Sequence, residues 1–195
     1  MHNYENVEAL LDDWNKFLRE VFGVSLPSKN MLATPKSCVG FNWGVVSPKG
    51  ITIEKTINSY SGICPVWRWT NDNLDSIVGS IRSTKRGAWV IRCRNGTEPD
   101  KKHKNKSSND IWTAGINTLT LSERLLLGRW YFWKTNGQQL DTENITRCDG
   151  SRDARGYAPD VYFRWHHVFL LSFYCISGVF LGLPNDRYLG LGCRS

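Results

Sequence analysis

The run VFLLSFYCISGVFLGL, residues 168–183, has no charged side chain and lies near the end of an otherwise polar and basic chain. A helix that crosses a bilayer needs about 20 mostly apolar residues. This run is shorter, is interrupted by Gly178 and Gly182, and includes the polar residues Ser172 and Ser177. Its β-branched, aromatic and glycine content is typical of strands and turns. We therefore expect a globular domain with no membrane span.

The chain length sets the domain count. A chain of 195 residues can form one domain with a substantial core. Nine tryptophans and a hydrophobic content of 41% indicate a folded protein rather than a disordered one. We find no repeat, low-complexity tract or proline-rich linker, so we predict a single α+β domain over residues 1–195.

Two segments have the apolar spacing of amphipathic helices. Residues 5–22 place apolar side chains at i, i+3, i+4 and i+7, which predicts a helix with one buried face. The segment TLTLSERLLLGRWYFWKTNG predicts a second helix, with Thr120 or Ser122 as its N-cap and Asn136-Gly137 at its end. A third, shorter helix is expected over residues 71–81, capped by Asn71 or Asp72.

Short apolar runs elsewhere predict strands joined by turns. Residues 36–69 contain short apolar runs interrupted by Gly, Pro and Ser, which are CVGFNWGVV, ITIEKTI and ICPVWRW. AWVIRCR, residues 88–94, predicts another short strand. Residues 99–110 are polar and charged without periodicity, which predicts a loop. From residue 140 onward we expect strands joined by loops.

The sequence contains no pattern typical of a metal or nucleotide site. We find no G-x-S-x-G, H-E-x-x-H, Walker or Rossmann motif. His166 and His167 are adjacent, and on a strand their side chains would point to opposite faces and could not share a metal ion. Asp149, Asp153 and Asp160 lack the alternation of a Ca²⁺ loop, so turn formation explains them better. We expect no metal and no cofactor.

The six cysteines lack C-x-x-C spacing and are expected to be free thiols. Cys148 or Cys193 could act as a nucleophile, but a lone cysteine is more often an inert small hydrophobic residue. The N-terminus MHNYENVEALLDDWNKF has acidic residues where an export signal needs positive charge, so we predict no export signal.

Most of the net charge of +7 lies between residues 85 and 106. A basic patch of this kind is the first requirement for binding nucleic acid phosphates. No recognised nucleic-acid motif accompanies it, and a solvated loop that keeps the protein soluble explains it as well. We therefore favour the solvated loop and do not expect a nucleic-acid partner.

The composition of residues 147–195 is abnormal. These 49 residues contain no Lys, Glu, Gln or Met, whereas the preceding 146 contain 11, 7, 2 and 2 of them. At the frequency of the first 146 residues, the last 49 should contain roughly seven residues of these four types. Burial cannot explain the difference, because the same residues retain six Arg and four Asp, and desolvation penalises all four charged types. Codons whose third base is fixed as a pyrimidine cannot encode Lys, Glu, Gln, Met or Trp. The bias is therefore genetic in character, and Trp165 is expected to be framework.

The sequence contains the segment TLTLSERLLLGRWYFWKTNGQQLDTENITRCDGSRDARGYAPDV, followed by an aromatic-rich stretch and the closing LGLGCRS. This arrangement resembles the variable proteins of diversity-generating retroelements. The resemblance covers roughly residues 119–195; its most specific parts are the helix, the GSR turn at residues 150–152 and the codon-shaped composition. In that family an error-prone reverse transcriptase randomises template adenines, typically in AAY codons, and the copy is written into the 3′ end of the gene. The resemblance implies a C-type lectin fold in which two amphipathic helices pack on short, mostly antiparallel strands and long loops.

The resemblance also implies a scaffold over about residues 1–146 and a variable ligand-binding region over about 147–195. It implies a non-enzymatic receptor for an unknown protein or cell-surface ligand. With no export signal predicted, we expect the protein to be cytoplasmic, or displayed on a virion or cell surface through another component. We expect exposure at Asp153, Arg155, Tyr157 and Arg164, and leave burial open for Phe169, Leu171 and Phe173. The residues predicted to be diversified and to face the partner are Asp153, Arg155, Tyr157, Asp160, Tyr162, Arg164, His166, His167, Phe169, Leu171, Phe173, Tyr174, Cys175, Ser177 and Tyr188.

Two other functions stay open at this point. Formylglycine-generating oxidases share the lectin-like architecture and use cysteines, although the cysteine spacing here gives that function no support. A nucleic-acid-binding module would use the basic segment 85–106.

Overall fold

The computed structural model describes residues 6–27, 32–36, 38–85 and 87–172, together with the backbone of 191–193. Helices and strands are mixed along the chain, which confirms the α+β class. The helices are α1 (Val7–Phe22), α2 (Ile53–Asn58), α3 (Leu74–Ile77), α4 (Ser108–Thr113) and α5 (Leu121–Lys134), with a 3₁₀ helix at Lys101–His103. The strands are β1 (Trp43–Ser47), β2 (Val66–Trp67), β3 (Gly79–Ser80), β4 (Trp89–Cys93), β5 (Ile145–Arg147), β6 (Ser151–Arg152), β7 (Pro159–Arg164), β8 (His167–Ser172) and β9 (Leu191–Cys193).

The two longer helices confirm the prediction from apolar spacing. Helix α1 begins after Asn6, whose side chain accepts a hydrogen bond from the Glu8 amide, and ends at Gly23 in the left-handed conformation. Helix α5 begins after Thr120, and Glu123 completes a capping box with it. Their buried faces pack together, with the rings of Trp14 and Trp130 stacked at 5.5 Å.

Three segments differ from the sequence-based prediction. ITIEKTI forms helix α2 rather than a strand, because Thr52 caps it and Ile53, Thr56 and Ile57 share a buried face. The helix expected over residues 71–81 is only the four-residue α3, capped by Asn73. The loop expected over residues 99–110 contains the 3₁₀ helix and the start of α4.

The main sheet has the strand order β2-β8-β7-β5-β9. Strands β7 and β8 form an antiparallel hairpin, β5 pairs antiparallel with β7, and the edge strands β2 and β9 run parallel to their neighbours. Two smaller antiparallel sheets pair β1 with β4 and β3 with β6. The uncharged run that begins at residue 168 enters β8, and its part beyond residue 172 lies outside the described residues. In the described part of the chain, no helix combines the length and apolar character needed to cross a membrane.

The GSR turn joins the region after β5 to the start of α5. A Cβ atom at Gly150 would lie 3.0 Å from the carbonyl oxygens of Thr118 and Leu119, so only glycine fits there without movement. The Ser151 hydroxyl accepts a hydrogen bond from the Leu121 amide at 2.9 Å and lies 2.7 Å from the Ser80 hydroxyl. The turn therefore satisfies one of the free amides at the N-terminus of α5.

Candidate functional site

The β7–β8 hairpin sorts its side chains between two faces of the sheet. Val161 opposes Leu170, and both belong to the core cluster beneath α5. Residues two apart on a strand share a face, so the opposite face carries three other cross-strand pairs. These pairs are Asp160 with Leu171, Tyr162 with Phe169, and Arg164 with His167. All six were predicted to face the partner, and they share the face that points away from this core.

An aromatic cluster forms around Phe169 near the hairpin turn. We define the Phe169 cluster as the residues Trp67, Tyr162, Arg164, Trp165, His167 and Phe169. Tyr162 stacks on Phe169 with centroids 4.9 Å apart, whereas Trp165 meets the Phe169 ring edge-on at 6.1 Å. The rings of Trp67 and His167 lie 6.0 and 5.9 Å from Phe169. Each of these separations is within the range of favourable aromatic pairs.

The cluster exposes large apolar surface. Trp165 is 57% exposed and Trp67 is 48% exposed. The Arg164 guanidinium lies 5.0 Å from the centroid of the Trp165 ring, which is cation–π distance. Trp, Tyr and Arg are the residues that most often carry binding energy in protein interfaces. The hairpin tip therefore has the composition of an interface anchor.

The turn between β7 and β8 is a two-residue loop of Trp165 and His166. Their φ angles are 46° and 62°, as in a type I′ turn, which normally uses Asn-Gly. Positive φ costs a side chain such as Trp roughly 1 kcal/mol or more. His167 Nδ1 donates a hydrogen bond to the Trp165 carbonyl oxygen at 2.7 Å, and this bond braces the turn. The strained turn holds the Trp165 side chain and exposed His166 at the tip.

The same face becomes buried and charged away from the tip. Asp160 is buried, and its carboxylate lies 3.5 Å from the Arg147 guanidinium, which is buried as well. Burial raises the pKa of Asp160 to about 7; Arg147 opposes the shift and Asp149 adds to it. Tyr162 and Leu171 are also buried. The prediction that Asp160, Tyr162 and Leu171 face a partner is corrected by this burial: they underlie the surface.

Asp153 corrects a second expectation, because it is buried rather than exposed. Its carboxylate accepts hydrogen bonds from the amides of Arg155 and Tyr157 at 2.8 and 3.0 Å and from the Ser172 hydroxyl at 2.8 Å. Burial acts to raise the pKa of Asp153, but these hydrogen bonds and the Arg155 guanidinium together hold the pKa below its ordinary value. Asp153 therefore organises the turn between β6 and β7, as turn formation predicted.

Arg155 is exposed, as predicted, whereas Tyr157 is half-buried beside it in the turn between β6 and β7. The Arg155 side chain is 54% exposed, lies 5.0 Å from the Tyr157 ring centroid and donates to the Ser172 carbonyl oxygen at 2.8 Å. Ser172 is at the end of β8 opposite the turn, roughly 17 Å along the strand from His167. The exposed predicted residues therefore fall at two ends of the hairpin. Phe173, Tyr174, Cys175, Ser177 and Tyr188 lie outside the described residues.

Sequence reasoning missed two contributors to the Phe169 cluster. The sequence predicts Trp165 as framework, because a pyrimidine-ended codon cannot encode it. Trp67 lies in β2, which is distant in sequence but parallel to β8, with Trp67 directly opposite Phe169. The sequence did contain one indication of the hairpin turn. Trp165 and His166 separate two strand-like segments of equal length, as the two residues of a tight hairpin turn do.

The residues considered for chemistry do not converge. Cys38, Cys64, Cys93 and Cys148 are free thiols, as expected. Cys148 is buried, and burial raises the pKa of its thiol well above the ordinary value, which disfavours a thiolate nucleophile. The Cys193 side chain is outside the described part. Among the described residues, no group of three or more His, Cys, Asp or Glu side chains could hold a metal ion. Comparison with family models, curated proteins and solved structures found no match.

Proposed function

We propose that this protein is a receptor-like, ligand-binding protein whose C-terminal region is diversified by a retroelement, on a scaffold of the C-type lectin type. The observation that carries the proposal is the composition of residues 147–195, from which the four residue types Lys, Glu, Gln and Met are missing while Arg and Asp persist. Desolvation penalises Asp as it penalises Glu and Arg as it penalises Lys, so burial would not separate them in this way. Interfaces favour Arg over Lys but disfavour both Asp and Glu, so they explain only part of the bias.

The geometry of the hairpin supports the proposal. The region 147–195 includes both β7 and β8, and at the tip of their hairpin Trp165 and His166 are exposed while Arg164 and His167 are half-buried. Arg164, His166 and His167 lie there beside two exposed tryptophans, while Val161 and Leu170 hold the opposite face in the core. Side chains at the tip can change without opening the core, because the core contacts come from the alternate positions.

Three features support the lectin-type scaffold. Helices α1 and α5 pack against each other, four of the five strands of the main sheet come from the terminal third of the chain, and the GSR turn holds the N-terminus of α5. Under this proposal the protein is not an enzyme, and the buried Cys148 has a packing role. Binding would rest on a few desolvated anchors surrounded by neutral contacts, which lets substitutions alter specificity.

The direct test is genetic. The DNA beside the gene should contain a near-copy of the segment that encodes residues 147–195, next to a reverse-transcriptase gene. The differences between the copies should fall at adenines of the template, chiefly in the first two positions of codons for Arg155, Tyr157, Arg164, His166 and His167. A flanking region without such a copy, or differences spread evenly over bases, would refute the proposal.

A display experiment tests the binding surface separately. The surface library randomises Arg155, Tyr157, Arg164, His166 and His167 with pyrimidine-ended codons. This library and a control library are each selected against an arbitrary soluble protein. We expect folded, specific binders from the surface library. The control library randomises the same number of core-facing positions, at Leu125, Val161, Phe163, Val168 and Leu170, and should yield mostly unfolded chains. Equal yields of folded protein from the two libraries would contradict the division between core and surface.

A further inference from the structure

A cavity of about 420 Å³ lies on a different part of the protein from the hairpin tip. Its walls come from the segment before β1, from β4 and from the segment that leads into α5. Its volume is in the range of small-molecule sites, about 300–1,000 Å³. Its lining includes Lys36, Cys38, Phe41, Arg82, Ile91 and Arg92.

The charged residues of the lining all have one sign. Lys36, Arg82 and Arg92 line the cavity, and none of its lining residues is acidic. Arg82 is neutralised from behind, because its guanidinium contacts the buried Glu123 carboxylate at 2.6 and 2.7 Å. Arg92 donates from Nε to the Pro35 carbonyl oxygen at 3.4 Å, which holds its side chain along the wall. Lys36 and Arg92 are the other two cations of the lining.

The rest of the wall is apolar. Phe41, Ile91 and Leu119 provide carbon surface, and Leu119 is buried. The Arg94 guanidinium lies 4.4 Å from the Phe41 ring centroid, which keeps the ring in place. The charge of Arg94 is opposed by the Asp100 carboxylate, which lies 3.7 Å from Arg94 Nε. Cations set in low-dielectric walls attract an anion more strongly than the same cations on an open surface.

We propose that this cavity binds a small organic anion. Its phosphate or carboxylate group would lie beside Lys36 and Arg92, and its apolar body would pack on Phe41 and Ile91. Arg92 belongs to the basic segment 85–106, so part of the charge concentrated there forms a binding site instead of a solvated loop. The site is separate from the receptor function proposed above and does not depend on it.

Calorimetric titration of the full chain with four probes tests the ligand class. The probes are 1-naphthyl phosphate, 1-naphthoate, the neutral 1-naphthalenemethanol and inorganic phosphate. We expect at least one naphthyl anion to bind, and the neutral compound and inorganic phosphate to bind at least about tenfold more weakly. The tighter of the two naphthyl anions identifies the preferred acid group. Equal affinity for the neutral compound, or binding of neither anion, would overturn the proposal.

Variants locate the binding. The double variant Lys36→Gln with Arg92→Gln should weaken binding of the better naphthyl anion at least about tenfold. The control, Lys101→Gln with Lys104→Gln, removes the same charge from exposed residues and should change affinity by less than about twofold. Equal weakening in the two variants would show a general effect of net charge and refute the site.

Cys38 provides a readout that does not depend on the double variant folding. It is exposed and lines the cavity, so the naphthyl anion should slow its alkylation by iodoacetamide, as followed by peptide mapping. The single variant Lys36→Gln changes an exposed side chain and should abolish most of this protection. Protection of Cys38 that is unchanged in Lys36→Gln, or no protection in the wild type, would count against binding in this cavity.

Discussion

The buried carboxyl of Asp160 makes the stability of the protein depend on pH. Burial raises its pKa to about 7, against the opposing effect of Arg147 and with the support of Asp149. In the unfolded chain an aspartate has a pKa of about 3.9. Between these two values the folded protein keeps a proton that the unfolded chain has released. The stability contributed by the protonated carboxyl is therefore full below the unfolded pKa and is lost as the pH rises towards 7.

The size of the effect follows from the linkage relation. Each pH unit across which only the folded state holds the proton costs about 1.4 kcal/mol, and the folded state begins to release it near pH 7. From pH 5 to pH 7 the wild type should therefore lose about 2 kcal/mol through Asp160. Asp160→Asn should remove this part of the slope. Asn keeps a neutral polar side chain of similar shape beside the buried Arg147, as the protonated carboxyl is below pH 7.

Urea unfolding followed by tryptophan fluorescence at pH 5, 6 and 7 measures this slope in both proteins. Asp72→Asn is the matched control, because it removes an exposed carboxylate and should keep the wild-type slope. Parallel pH profiles for the wild type and Asp160→Asn would refute the reasoning. They would mean that Asp160 is ionised throughout this range, held so by Arg147.

Three further substitutions test the turn, the α5 cap and the tip. His166→Val should lower the free energy of unfolding by about 1–2 kcal/mol in urea titrations, because a β-branched residue is strained at φ 62°, whereas His166→Gly should not lower it. Ser151→Ala leaves the Leu121 amide without its acceptor and should cost about 1–2 kcal/mol in thermal melts. Trp67→Ala and Trp165→Ala, introduced into a binder selected from the surface library, should each weaken its affinity at least about tenfold by surface plasmon resonance. Unchanged affinity in both variants would exclude the tip as the anchor.

The longer helices could be predicted because periodicity and capping agreed. For α5 the sequence predicts a start after Thr120 or Ser122, and the structure places it after Thr120, where Glu123 completes a capping box. Helix α2 was missed because Ile and Thr favour strands, and packing on the core overrode that preference. Its buried residues Ile53, Thr56 and Ile57 do have helical spacing, but six residues are too few to make the period distinct.

The candidate site could be predicted only in part. Alternation along β7 and β8 places Tyr162, Arg164 and Phe169 on one face, as a strand must. Alternation does not predict which residues of that face are exposed and which are buried. Trp67 reaches the site through a parallel pairing between strands about 100 residues apart, and local sequence carries no signal for that pairing.

Side-chain contacts on the outer face of the hairpin distinguish structural residues from surface residues, which composition alone does not. Asp153 and Asp160 are encoded by the same codon class as the exposed residues, so composition groups them with the variable set. Their contacts separate them, because Asp153 holds a turn through several hydrogen bonds and Asp160 lies buried beside Arg147. Random replacement at either position would leave buried partners unsatisfied, at a cost of about 1–3 kcal/mol or more. At His166 the main constraint is the backbone angle, which Asn, Asp and Gly meet at least as well. All three belong to the pyrimidine-ended codon set, so under the proposed function diversification of the tip would relieve strain as readily as it would change specificity.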